Sequence, residues 1–265
     1  MPELSIITIN YNNLIGLQKT MQSVFAQNFL GYEYIIIDGD STDGSKEYIN
    51  QSAHKLSYSV SERDNGVYDA MNKGIAKATG TFLMFLNSGD FFVDQNVLMS
   101  LNKQIKKRNA DIYYGNIEIT DQGGSISNLQ YPSTLTLAYL NRATINHQAS
   151  VIKSSLFQEM GLYDTSFSLA ADYAFFLKSF FYGKHFEHIN EEVINYQLDG
   201  ASSLHKEEYK RQMNEAWNRI IPTYMNKLYK ENQSYETLMD QRILRWAKSL
   251  NENYKSFRSY LKNIK

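Results

Sequence analysis

The chain has 265 residues, 43% of them hydrophobic, enough for one large domain or a domain with an appendage and for a core that needs no staples. It contains no cysteine, so disulfides and thiolate chemistry are excluded and any metal must rest on oxygen or imidazole ligands. A formal net charge of −1 gives no global basic field of the kind that holds nucleic acid.

The first residues, MPELSIITINYNN, lack the basic region and cleavage site of a secretory signal, and no run approaches ~18 consecutive apolar residues. A cytoplasmic location is therefore expected. In chain order, LSIITI (4–9) reads as a buried strand and LIGLQKTMQSVFAQ (14–27) as a helix with Leu14, Leu17, Met21, Val24 and Phe25 at helical spacing. YEYIIID (32–38) is a second buried strand, and a helix is expected from the capping candidates at Ser41–Asp43. LSYSVSE (56–62) is a weaker third strand. VYDAMNKGIAKA (67–78) is a helix with Val67, Met71, Ile75 and Ala78 on one face and Gly80 placed to end it. TFLMFL (81–86) is a fourth strand, buried on both faces.

Strand and helix alternating over short links imply a right-handed, parallel, doubly wound sheet, whose ligands bind outside the carboxyl ends of the strands. Beyond it, 93–108 reads as a helix, 110–120 as a strand, DQGGSISN as a hairpin-type turn, and 131–198 as short helices and strands. From about His205 the chain reads as helical, with 13 Lys and Arg against 7 Asp and Glu. That basic, aromatic tail, with Trp217 and Trp246, suits either a membrane surface or a helical cap or dimer contact.

Each early strand ends in a polar cluster: NYNN (10–13), DGDSTDGS (38–45), SERDNG (61–66) and NSGD (87–90). Taken singly, DGDSTDGS reads as readily as a turn with an N-cap and NYNN as a helix-initiating loop, and SGD reads more readily as a turn than as a ligand. In a parallel sheet all four share one rim, where gathered carboxylates repel unless a cation or donors offset them. A hard divalent cation holding a diphosphate would do so, taking one or two carboxylates and filling its shell with phosphate and water.

In this order and spacing the clusters resemble the nucleotide-sugar half of family 2 glycosyltransferases of the GT-A fold. INHQASVIKSSLFQEMGLYDTSFSLAADYAFFLK resembles their acceptor half, and the match is closest to bacterial enzymes that build capsule, exopolysaccharide or O-antigen units. The resemblance spans about residues 4–204. It implies an α/β GT-A domain at 1–204, divided into a nucleotide-sugar half (1–92) and an acceptor half (93–204), with a mostly parallel Rossmann-like sheet. A helical extension would follow at 205–265.

The resemblance also assigns residues. Asn10 and Tyr11 would line the nucleotide pocket, Asp38 would read the base with Asp40 following, and Asp64 would lie near the base. Asn72 and Lys73 would reach ribose or phosphate. NSGD matches the DADD segment, with Asp90 as the ligand of Mg²⁺ or Mn²⁺, and with Asn87 and Gly89 in place of two aspartates. Asp172, in LAADYAFF, falls at the catalytic base, which removes the acceptor proton in inverting transfer; an N-cap of the helix from Tyr173 is the alternative. His147 and His205 are candidate acceptor or phosphate contacts, or structural histidines. QLDGASSLH (197–205) resembles a loop that closes over the donor. The implied partners are a nucleotide-sugar, a UDP-sugar first, and a saccharide or lipid-linked saccharide. Peripheral contact with the inner face of the plasma membrane and a homodimer follow as expectations for the tail.

Two other classes of protein make different demands on the sequence. A nucleotidyltransferase would need a glycine-rich, basic loop after the first strand, and INYNNLIG has neither feature. A non-catalytic carbohydrate-binding protein would show a degraded metal segment and no base; NSGD fits the first condition, whereas Asp90 and Asp172 argue against it.

Overall fold

A computed structural model of the chain describes residues 2–121, 123–197 and 205–222. The chain divides into two compact units, Met1–Ile220 and Ile221–Lys265, and the architecture below is that of the first. The loop 198–204 and residues 223–265, Trp246 included, for which the sequence raises expectations, lie outside the described residues.

The amino half is built as its pattern requires. Strands β1 (Leu4–Asn10), β2 (Tyr32–Asp38), β3 (Tyr58–Ser61) and β4 (Phe82–Phe85) run parallel in the order β3–β2–β1–β4. Helices α1 (Leu14–Phe25), α2 (Ser45–Gln51) and α3 (Val67–Lys77) connect them. β1 and the apolar part of β2 are buried throughout, as continuous β-branched runs in a two-sided parallel sheet should be. The register pairs Asn10 with Asp38 and Asp38 with Ser61, and the Ser88 amide donates to the Ile9 carbonyl, so the polar clusters do gather on one rim.

Beyond β4 the sheet changes character. β8 (Ser150–Lys153) pairs antiparallel with β4, β6 (Ile112–Thr120) pairs antiparallel with β8, and β9 (Phe186–Gln197) runs parallel to β6. A two-residue strand β5 (Phe91–Phe92) pairs with β9, so NSGD is pinned from both sides. β7 (Ile126–Leu129) returns antiparallel against β6, so the carboxyl part of DQGGSISN is strand rather than turn. Helices α4 (Val97–Lys107), α5 (Leu137–Leu140), α6 (Ser155–Met160), α7 (Ala171–Phe181) and α8 (Lys206–Ile220) complete the unit.

Several local expectations are corrected. α2 begins at Ser45 because Gly44 holds φ 96 and the Asp43 carboxylate reaches back to the Leu14 amide while also accepting from Ser45. α3 buries Tyr68, Ala70, Met71 and Gly74 rather than the stripe through Ile75 and Ala78, and it ends before Gly80. Gly80 serves a close approach instead: its amide donates to Ser5 Oγ at 2.9 Å, and a Cβ there would lie 2.8 Å from the Ser5 backbone nitrogen. Gly80→Ala is therefore expected to destabilise the fold by about 1–3 kcal/mol through overpacking against backbone, measured by urea denaturation. The first compact unit spans Met1–Ile220 and takes in α8. Helix α8 buries Gln212, Met213, Ala216 and Trp217, which removes Trp217 from any membrane surface.

Candidate active site

The rim carries two adjoining depressions. A groove of about 830 Å³ lies over the ends of β1, β2 and β3 and is lined by Asn10, Tyr11, Asp40, Arg63 and Asp64, among others. Beside it lies a cavity of about 310 Å³ lined by Tyr68, Asp90, His147, Gln148, Asp172 and Tyr209, among others. Val67, Asn87 and Ser88 line both, so the NSGD segment forms the sill between them.

In the groove, Tyr11 is 68% exposed. Gly39 permits a close approach, since a Cβ there would lie 2.7 Å from Asp64 Oδ2 and 3.1 Å from the Tyr11 ring. Asp64 Oδ1 accepts from the Gly66 amide at 2.9 Å. Asp40, at φ 64, pairs with Arg63 at 3.6 Å in an exposed, weak ion pair.

Three expected donor contacts are placed differently. Asp38 is 0% exposed and does not line the groove. Its two oxygens accept from Asn10 Nδ2 at 2.7 Å, from the Ser41 amide and hydroxyl at 3.0 and 2.6 Å, and from Ser61 Oγ at 2.6 Å. Four donors saturate a carboxylate, so Asp38 ties three strand ends together and has no edge left for a base. Asn72 is spent as a two-way clamp on the Tyr163 backbone, at 2.9 and 3.0 Å. Lys73 turns to Glu62 at 2.9 Å and to the Arg63 carbonyl at 2.8 Å. His205 is exposed immediately before α8 and lines neither depression.

The cavity brings together Asn87, Asp90, His147 and Asp172. Asp172 sits in the first turn of α7 with Ala170 at the N-cap, so the capping alternative is not realised. It is 5% exposed. Tyr68 donates to its Oδ1 at 2.8 Å, and the His147 Nδ1–H donates to Oδ2 at 2.8 Å. Burial pushes the Asp172 carboxyl up, but the His147 hydrogen bond and attraction, with the Tyr68 hydroxyl and Tyr173 amide, outweigh it and hold the group below the ordinary carboxylate range. Burial and the Asp172 charge push the Tyr68, Tyr163 and Tyr209 phenols well up, so these rings stay protonated beside it.

Asp90 is also 5% exposed; Gln148 Nε2 donates to its Oδ2 at 3.0 Å and the Gln197 amide to its Oδ1 at 3.1 Å. Gly89 holds φ 110, a conformation L side chains rarely adopt, so an aspartate in its place would be strained. Asn87 directs its Nδ2 to His147 Nε2 at 3.3 Å, while its Oδ1 is buried with no hydrogen-bond partner. The donor set fits a hard cation in part: one carboxylate and one orphaned amide oxygen on the sill. Among the described residues no trio of His, Asp and Glu forms a complete metal site, so phosphate and water would have to fill the shell.

Tyr68, Gln148, Gln197 and Tyr209 escaped the sequence reading. Gln148 adjoins His147 and could have been suspected from NHQ; Tyr209 was hidden because α8 read as an appendage.

Comparison with known proteins agrees with this geometry. The family model described as glycosyl transferase family 2 matches residues 5–168. An uncharacterized glycosyltransferase of Mycobacterium tuberculosis is 36% identical over 181 residues, 67% of this chain and 69% of the relative. The Escherichia coli UDP-Glc:alpha-D-GlcNAc-diphosphoundecaprenol beta-1,3-glucosyltransferase WfgD is 26% identical over 134 residues, 50% of this chain and 53% of that protein. The crystal structure of S. aureus TarS 1–349 in complex with UDP superposes with TM-score 0.63 at 15% identity, covering 86% of this chain and 78% of that one. Its fold is GT-A, with a curled, mostly parallel sheet flanked by helices. The chain belongs to glycosyl transferase family 2 and is a glycosyltransferase.

Proposed function

We propose that the chain moves a sugar, with inversion, from a UDP-sugar to a hydroxyl of a lipid-linked saccharide in cell-surface polysaccharide synthesis. One observation carries the reading: the Asp90 and Asp172 carboxylates share a cavity that meets the nucleotide groove at Asn87 and Ser88. The UDP complex of TarS and the donor and diphosphoundecaprenol acceptor in the name of WfgD support the substrate classes. The apolar and aromatic wall of Ile117, Ile119, Tyr131, Tyr196 and Tyr209 suits a sugar ring and an apolar carrier. A lipid carrier would bring the protein to the inner face of the membrane; among the described residues no helix is long and apolar enough to cross it.

In this account the nucleotide lies in the groove, with its base against Tyr11 and Asp64, and the acceptor hydroxyl enters the cavity. Asp172 accepts the hydroxyl proton as that oxygen attacks the anomeric carbon from the side opposite the diphosphate. Tyr68 and His147 keep the carboxylate ionised and aimed. Asp90, with Asn87 Oδ1, would hold Mg²⁺ or Mn²⁺, which supplies positive charge to the departing diphosphate. Direct displacement with a single base needs no second catalytic carboxylate.

A thermal-shift panel of UDP, GDP and dTDP with and without Mn²⁺ tests the reading. UDP with Mn²⁺ is expected to stabilise the protein most, by about 2.7 kcal/mol at a hundredfold excess over Kd; no response to any nucleotide would contradict it. Tyr11→Ala should weaken UDP binding by about 1–3 kcal/mol through lost stacking. Titration calorimetry measures this, and unchanged affinity would place the base elsewhere.

A further inference from the structure

We propose that His147 and Gln148 are positioning residues, a two-residue yoke that holds the base carboxylate with one side chain and the metal-side carboxylate with the next. His147 Nδ1 is 2.8 Å from Asp172 Oδ2, and Gln148 Nε2 is 3.0 Å from Asp90 Oδ2. Consecutive residues thus reach carboxylates delivered by two distant parts of the chain, the turn after β4 and the first turn of α7.

The segment is built to stay put. Asn146 Oδ1 accepts the amides of Gln148 and Ala149 at 2.8 and 3.2 Å, and Ser150 returns its amide to the His147 carbonyl and its hydroxyl to the Asn146 carbonyl. β8 then begins at once and pairs with β4, the strand that leads into NSGD. The yoke therefore shares a rigid frame with the sill it braces.

A direct substrate role for His147 does not fit its contacts. Its side chain is 13% exposed, and both ring nitrogens are engaged: Nδ1 lies 2.8 Å from Asp172 Oδ2 and Nε2 lies 3.3 Å from Asn87 Nδ2. No ring nitrogen remains for an acceptor hydroxyl or a phosphate. Second-layer partners of this kind typically change activity or metal affinity by 10–100-fold.

Isosteric replacements separate the roles. An asparagine amide nitrogen stands as many bonds from Cβ as Nδ1, and a glutamine amide stands nearer the place of Nε2. His147→Asn is expected to retain kcat within about tenfold, whereas His147→Gln and His147→Ala fall by roughly 100-fold. In His147→Ala the acid limb of the kcat profile should move to higher pH, because the ionised carboxylate loses a donor. The groups that face Asp172 are His147, Tyr68, Tyr163 and Tyr209, and the phenols stay protonated, so that limb reports the carboxyl. Gln148→Ala should leave the acid limb in place and raise, by about tenfold or more, the Mn²⁺ concentration needed for half-maximal stabilisation of the UDP-bound protein. His147→Gln matching His147→Asn, an unmoved acid limb in His147→Ala, or an unchanged Mn²⁺ response in Gln148→Ala would each overturn the yoke. The inference rests on the glycosyl-transfer reading, and the two fail differently. A parent protein inactive with every nucleotide-sugar defeats that reading, whereas an active parent with unshifted variants defeats only the yoke.

Discussion

Replacement of Asp172 by asparagine is expected to lower kcat by about 10²–10⁴-fold, roughly 3–5 kcal/mol of barrier, with the donor KM little changed. The side chain keeps its volume and lies in the cavity rather than in the groove, so nucleotide affinity should persist. Its amide cannot accept on both sides from Tyr68 and His147, and it cannot take a proton at neutral pH. Steady-state kinetics with saturating donor, beside a melting curve, distinguish lost chemistry from lost fold. The pH dependence of the parent follows the same contacts. The folded-state pKa of Asp172 is depressed, so the carboxylate remains ionised to lower pH than an ordinary one and the acid limb should fall below the usual carboxylate range. By linkage, its contribution to stability is fully present above the unfolded pKa of about 3.9 and is lost as pH falls through the folded value.

Asp90→Asn is expected to cost about 10²–10³-fold in kcat, the scale seen when one charge-stabilising group is removed from a transition state. It should also abolish the Mn²⁺ dependence of UDP binding, since Asp90 is the carboxylate on the sill. The new amide would face the Gln148 and Gln197 N–H donors, so some of the change will register as a lower melting temperature. The decisive comparison is calorimetric: UDP titrated into parent and variant, each with and without Mn²⁺. A parent whose affinity ignores Mn²⁺, or a variant that still responds to it, would remove the metal from Asp90.

The parallel half of the fold was legible because it is written in continuous apolar runs that end in polar clusters, and β2 was read residue for residue. The convergence of Asp90 and Asp172 was legible only through the family resemblance, since the residues lie 82 positions apart and meet through β8 and α7. What failed was side-chain direction. A strand-end aspartate followed by Ser41 can face a ligand or fold back on its own loop, and Asp38 does the second, accepting the Ser41 amide. Asn72 and Lys73 show the same ambiguity on a helix, where polarity does not tell a ligand contact from a clamp on the backbone. In sequence the tail stays open between a membrane surface and a helical cap or dimer contact, because charge and aromatic content suit all of these; its described part, α8, is a cap, with the Gln212 amide oxygen accepting from Leu169 and Tyr209 lining the cavity. Gln148 was missed because a lone glutamine carries no pattern until its partner is known.

The most direct test of the account is the anomeric configuration of the first-formed product, followed by proton NMR during transfer from the α-configured UDP-sugar that stabilises the protein most. Direct displacement by a hydroxyl that Asp172 deprotonates predicts a β-linked product from the first turnover. An α-linked product would contradict it, because retention requires either a covalent intermediate or attack from the leaving-group side.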